Sequence, residues 1–121
     1  MDAFDLVKEQ VFDTGKHVEK ILQEYPDGDV TVACWEAGQI SPNHCHPHAT
    51  EIYFCFQGGG IMRTPDRTVE VKPGGFVVHP PRELHEYETA PSARYSSASA
   101  SATTWWPALS TGAATRTGSR P

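Results

Sequence analysis

At 121 residues the chain has the length of one domain, enough to bury roughly two thirds of its unfolded surface around a single core. Ten Lys and Arg against fifteen Asp and Glu leave a net charge of −5 and no basic footprint, which argues against a nucleic-acid partner. No apolar run approaches the ~20 residues of a membrane span, and the acidic start MDAFDLVKEQ lacks the basic and apolar regions of a signal peptide; a cytoplasmic protein with no membrane partner is expected. Three cysteines, Cys34, Cys45 and Cys55, fit a reducing compartment better than a disulfide framework.

In chain order, Met1 to Gln10 carries Phe4 and Val7 near helical spacing and predicts a short helix or an arm. Val11 to Tyr25 reads equally as helix or strand until Pro26 and Asp27-Gly28 end it, so residues 1–25 are an N-terminal arm or strands covering a barrel. Val30 to Trp35 alternates Val30, Val32 and Cys34 with Thr31, Ala33 and Trp35, a strand. Glu51 to Gln57 is a second strand. After it come hairpins: a turn at Gly58-Gly59-Gly60, a strand over Ile61 to Thr64, a turn at Pro65 to Arg67 and a strand over Thr68 to Val71. A turn at Pro73 to Gly75, a strand over Phe76 to His79, a loop over Pro80 to Glu83 and a last strand over Leu84 to Glu88 follow. Short strands at even spacing with Gly and Pro turns make residues 26–91 an antiparallel barrel core. From Ser92 to Pro121 the composition shifts to Ser, Ala, Thr and Gly without an acidic residue. Such a tail buries too little apolar surface to offset its ordering entropy and is expected to be mostly disordered. Tyr95 to Ala102 is then a poor candidate for a closing strand, because only Tyr95 has strong strand preference.

The stretch GQISPNHCHPHATEIYFCFQG concentrates the chemistry. His44 and His46 are two apart and share a face if the segment is extended, while Cys45 leaves the other face as a small buried residue. Turn residues Pro47 to Thr50 let the chain double back and bring Glu51 beside the imidazoles. A third imidazole would complete a nitrogen and oxygen metal site, with His85 the expected donor. Three imidazoles and a carboxylate suit one divalent ion such as iron, manganese, nickel or zinc. His48 is expected in solvent, His79 on a cavity wall beside Val77, and His17 in no role. Tyr53 and Cys55 share the face of Glu51 and should line the cavity, together with Trp35, Phe76, Tyr87 and Arg82. Tyr87 lies two residues from His85 and could donate a proton, a catalytic role shared with Glu51. Arg82 could clamp a substrate carboxylate, or could be a solvated turn residue. Glu83, Glu86 and Glu88 read as solvated charges. Ile52, Phe54 and Phe56 take the opposite face and need cover, from the N-terminal segment or from a second subunit in a homodimer.

A glycine, five residues, His-x-His, four residues, Glu, six residues and a glycine fall on Gly38, His44, His46, Glu51 and Gly58, and this resembles the first cupin signature with every fixed position filled. Gly74, Pro80 and His85 resemble the second, with Arg82 where Gly is usual and Thr89 where Asn is usual. The resemblance covers roughly Val30 to Glu88 and implies an all-β, double-stranded β-helix (jelly-roll) barrel of the small single-domain kind, with a short N-terminal extension and a disordered C-terminal tail. It implies His44, His46, Glu51 and His85 as ligands of one divalent transition metal. Two function classes follow: an enzyme in which the metal activates dioxygen or acts as a Lewis acid on a small carboxylate- or carbonyl-bearing substrate, and a non-catalytic module that binds a small metabolite.

Overall fold

The computed structural model describes residues 1–91 and 93–103. Its elements are β1 (Val18–Tyr25), β2 (Gly28–Trp35), β3 (Thr50–Gln57), β4 (Gly60–Arg63), β5 (Thr68–Val71), β6 (Phe76–His79), β7 (Glu86–Thr89) and β8 (Tyr95–Ala102). A five-stranded sheet in the order β1-β2-β8-β3-β6 faces a three-stranded sheet in the order β5-β4-β7, and every pairing is antiparallel. Among the described residues there is no helix, and none is long and apolar enough to cross a membrane.

The start of the chain resolves as an arm. Asp5 caps one turn through Val7 and Lys8, and Phe4 and Leu6 line a hollow with Ile52 and Phe54 on the outer face of the large sheet. The segment that reads as helix or strand becomes β1, whose Glu19 and Ile21 pair with Ala33 and Thr31 of β2. The hairpin strands stand where alternation puts them, within one or two residues.

The closing strand corrects the expected disorder of the tail. Tyr95 to Ala102 is β8, central in the large sheet, paired along its length with β2 on one side and β3 on the other. Side-chain preference is weak here, but two complete hydrogen-bond ladders satisfy the backbone, and small Ser and Ala side chains fit between twisted neighbours. The remainder of the expected tail, residues 104–121, lies outside the described residues.

Alternation sorts β3 as expected: Glu51, Tyr53 and Cys55 are buried, while Phe54 is exposed and Ile52 and Phe56 are half-buried. Inward residues form rows across the sheet. Asp29, Ser101, Glu51 and His79 stand side by side in one row, and Trp35 and Tyr95 pair in another. The apolar core gathers at the second end: Trp35, Tyr53, Cys55, Met62, Val71, Tyr87 and Tyr95 pack as one cluster. Tyr87 stacks on Tyr95 at 3.9 Å between ring centroids, and Trp35 meets both. Gly58 sits at the turn after β3 with φ of +77°, and a Cβ there would run into the Arg94 carbonyl. That is why this turn takes no side chain.

Candidate metal centre

The loop between β2 and β3 carries two of the four expected ligands and is pinned to the chain leading into β7. Ser41 N–H donates to the Tyr87 carbonyl at 2.8 Å, and the Tyr87 N–H donates to the Ser41 hydroxyl at 2.8 Å. His44 and His85 exchange both backbone hydrogen bonds, at 3.0 and 2.8 Å, so the two residues are held opposite one another as in a sheet. The residue after the second signature's turn, Arg82, gives its N–H to the His46 carbonyl at 3.0 Å. Thr89, standing where Asn is usual, accepts the Gly38 N–H at 2.7 Å and donates to the Glu36 carbonyl at 3.1 Å. Its hydroxyl ties the start of the first signature to the end of the second.

These bonds bring His44, His46, Glu51 and His85 together, each offering one ligand atom, all within 4.8 Å of one another. The His44 Nδ1 lies 2.8 Å from the Pro42 carbonyl and the His85 Nδ1 3.0 Å from the Glu83 carbonyl. A carbonyl only accepts, so Nδ1 of each ring carries the proton and Nε2 is left with its lone pair. The His85 Nε2 then sits 3.1 Å from the Glu51 Oε1, and the His46 Nε2 sits 3.0 Å from the same oxygen. None of these three buried atoms makes a well-directed hydrogen bond. The His85 lone pair and the Glu51 oxygen face each other with no proton between them, which is costly in a buried site, and a cation held by the four side chains relieves that cost. The donor set therefore fits a divalent transition metal.

Burial pushes the Glu51 carboxyl up, but the His46 and His85 imidazoles overcome it and hold the group at about 2. Glu51 in turn raises His46 against the opposing effect of burial, with Glu19 and Asp29 adding to the rise. His44, His46 and Glu51 open onto a cavity of about 270 Å³ that is also lined by Glu19, Ile21, Asp29, Thr31, Ser99 and Ser101.

The other expected site residues divide. Tyr53 stands edge-on to His85 at 5.8 Å between rings, and burial first, then the Glu51 charge, drives its phenol far up, so it stays protonated. Trp35, Tyr53, Cys55 and Tyr87 face inward but are packed in the apolar core, outside the cavity lining, which corrects their expected pocket roles. The proton-donor role expected of Tyr87 is corrected with them: one inward step along the chain from His85, its ring is stacked on Tyr95 in the core rather than facing the cavity. Phe76 points outward and is 60% exposed, because in β6 the inward positions belong to Val77 and His79. Arg82 is exposed, with φ of 74°, and its guanidinium takes no part in the cavity, as a turn residue would.

His48 is exposed, as expected; His79, expected on a cavity wall, is buried and outside the lining of this cavity, and Cys45 is half-buried. His79 stacks on His85 at 3.9 Å and 7°, and its Nδ1 meets the Glu83 Oε1 at 2.8 Å. Glu83 is thus a partner of a buried histidine, and Glu86 and Glu88 pair with Arg63, all three half-buried where solvated charges were expected. Sequence reasoning missed Glu19, Asp29 and His17. His17 stacks on Trp35 at 5.3 Å and lies 3.6 Å from Glu19, which it holds below the usual carboxylate value. The alternation of His17, Glu19 and Ile21 carries the signal once β1 is taken as a strand.

A family model described as Cupin domain matches residues 31–95. Over 78 residues the chain is 30% identical to a Bacillus subtilis protein named quercetin 2,3-dioxygenase, a match covering 61% of this chain and 23% of that protein. Among solved structures, a conserved protein with a double-stranded β-helix domain from Klebsiella pneumoniae superposes with a TM-score of 0.79 at 18% identity, covering 85% of this chain and 90% of the other. An RmlC-like cupin protein from Desulfovibrio desulfuricans gives 0.76 at 19% identity, covering 85% and 97%. With both signatures folded into one barrel and the model spanning more than half its length, this chain belongs to the cupin family.

Proposed function

We propose that this chain is a mononuclear metal-dependent enzyme for a small organic substrate, with His44, His46, Glu51 and His85 holding one divalent transition-metal ion. The observation that carries this reading is the convergence of the His85 Nε2 and His46 Nε2 on the Glu51 Oε1, buried and without a directed hydrogen bond. Iron, manganese, nickel or zinc would suit the donor set. When bound, such an ion supplies Lewis-acid polarisation of a carbonyl or carboxylate oxygen, or activates dioxygen; the likeness to a protein named quercetin 2,3-dioxygenase favours the latter. The chain's own residues fix the chemistry around it. The Pro42 and Glu83 carbonyls set the tautomers of His44 and His85, Tyr53 keeps a proton beside His85, and the aromatic core closes the inner end to water.

A binding module without turnover is the second reading, favoured by one observation: Tyr87, the expected proton donor, is buried in the core. Elemental analysis of protein purified without added metal tests the first claim. About one equivalent of a transition metal in the wild type and none in the His44→Ala/His46→Ala double variant supports the centre; none in the wild type after reconstitution rejects it. Glu51→Gln then separates the two readings, since loss of turnover with ligand binding retained marks an enzyme.

The same reading includes a homodimer in the cytoplasm. The arm covers Ile52 and Phe54 only in part, and exposed Phe76 and Val78 pair with them across β3 and edge strand β6, an apolar strip suited to a second copy. Light scattering of Phe76→Ser, expected to be monomeric, tests it. All three cysteines are free, as a reducing compartment requires.

A further inference from the structure

We propose that the cavity beside the candidate metal centre selects a small zwitterion, its anionic oxygen directed to the floor where His44, His46, Glu51 and His85 would hold an ion and its cationic group to Glu19 and Asp29; this rests on the metal centre argued above.

The lining of the cavity is one-sided in charge. Glu19, Asp29 and Glu51 bring three carboxylates to it, while among the described residues no Lys or Arg lines it. Arg82, which the sequence offered as a carboxylate clamp, stands outside, and Lys20, next to Glu19 in the chain, is spent on Glu9 at 2.8 Å. Asp29 is positioned but not neutralised: Thr31 donates to its Oδ1 at 3.1 Å and Ser101 to its Oδ2 at 3.4 Å, both uncharged hydroxyls. Among the described residues Glu19 pairs with His17, 3.6 Å away, and that ring carries charge only when protonated. A cavity with like charges on low-dielectric walls concentrates the opposite charge.

The carboxylates also differ in depth. The Glu51 side chain is 9% exposed and the Glu19 side chain 53%, so the first belongs to the floor and the second to the mouth. The buried, unpartnered Glu51 Oε1 marks the floor as the place for a cation held by the protein. A divalent ion there, with one carboxylate among its ligands, leaves that end of the cavity net positive, whereas Glu19 and Asp29 keep the other end negative. A ligand with an anionic oxygen at one end and a fixed positive charge at the other satisfies both. A plain carboxylate would meet two uncompensated negative charges on the way in. With about 270 Å³ available, slightly under the usual range for ligand pockets, the molecule is small.

The probe is glycine betaine, whose quaternary nitrogen cannot itself ligate metal, compared with 3,3-dimethylbutanoate, which has the same shape and carboxylate but no positive charge. Both are titrated calorimetrically into the full-length, metal-loaded chain, with metal content measured on the same samples. Betaine is expected to bind at least about tenfold more tightly than 3,3-dimethylbutanoate. Glu19→Gln and Asp29→Asn are each expected to weaken betaine by about fivefold, which is ~1 kcal/mol, and to tighten 3,3-dimethylbutanoate as one repelling charge is removed, with metal content unchanged. Equal binding of the two probes, no binding of betaine, or betaine affinity untouched in both variants overturns the inference. If a variant fails to fold, the wild-type comparison of the two probes still decides. A metal-loaded protein that fails the comparison leaves the metal centre standing, and a wild type that takes up no metal overturns both.

Discussion

The two ends of the barrel interior are built from the same strands by the same alternation, yet one is a core and the other a site. β2 contributes Asp29 and Thr31 to the first end and Ala33 and Trp35 to the second; β3 contributes Glu51, then Tyr53 and Cys55; β8 contributes Ser99 and Ser101, then Tyr95. Alternation decides only that these side chains point inward. What each end becomes is decided by size and polarity: large rings that meet at 3.9 to 5.0 Å exclude water at one end, and short polar groups leave a cavity at the other. The packed core and the candidate site are therefore divided along the axis of the barrel, and the division can be tested by perturbing each end separately.

The largest effect is expected at the aromatic end. Trp35 is fully buried and touches Tyr87, Tyr95 and His17, so Trp35→Ala leaves a cavity and costs about 3–5 kcal/mol, read from urea unfolding. A loss under about 1 kcal/mol would mean that this end is not the core. At the polar end the order reverses. His44→Ala/His46→Ala removes two ligands and is expected to abolish metal retention, while the metal-free forms of variant and wild type unfold within about 1 kcal/mol of each other, because His46 is half-exposed and both sit on a loop. If the metal-free variant is strongly destabilised, the two ends are not separable.

How much of this was legible follows the same division. The barrel and its strands could be read because β-branched and aromatic residues alternate between Gly and Pro turns, and the gathering of His44, His46 and Glu51 because the spacing of Gly38, His44, His46, Glu51 and Gly58 is specific. β8 was not legible: its Ser and Ala side chains carry little preference, and its order comes from the ladders of β2 and β3 on either side. The depth of a residue along the barrel was not legible either. Tyr87 lies two residues from His85 and faces inward with it, but one step along β7 moves its ring from the ligands into the stack with Tyr95. The carboxylates of Glu19 and Asp29 escaped notice because their place at the cavity depends on β1 and β2 pairing, a contact distant in sequence from the signatures.

A smaller effect separates the backbone from the side chain at the polar end. Arg82 has φ of 74°, a conformation that costs a residue with a Cβ roughly 1 kcal/mol, and its guanidinium is exposed. Arg82→Gly is expected to raise stability by no more than about 0.5 kcal/mol, after allowance for the extra freedom of glycine in the unfolded chain. The His46 carbonyl keeps its hydrogen bond from the backbone N–H, so metal content should not change. A drop in metal content would instead give the guanidinium a part in the site.

The smallest effect lies just beyond the aromatic end, where Arg94 grips Glu36 at 2.7 and 3.1 Å and lies over the Phe12 ring at 4.2 Å, joining the end of β2, the arm and the start of β8. Arg94 holds the Glu36 carboxyl below its usual value through the paired hydrogen bonds, against a small opposing effect of desolvation. A carboxyl with a depressed folded value binds fewer protons in the native state than in the unfolded one. Its stabilisation is thus present above the unfolded value of 4.5 and fades as pH falls through the lower folded value. The pair is solvent-exposed, so the effect is slight and screened by salt. Arg94→Gln should lower the melting temperature slightly at neutral pH and low salt, with the gap to wild type closing both in high salt and on acidification below about pH 4. A gap that persists in acid and in salt would show that Arg94 acts through its packing on Phe12, which would make the arm part of what holds the aromatic end closed.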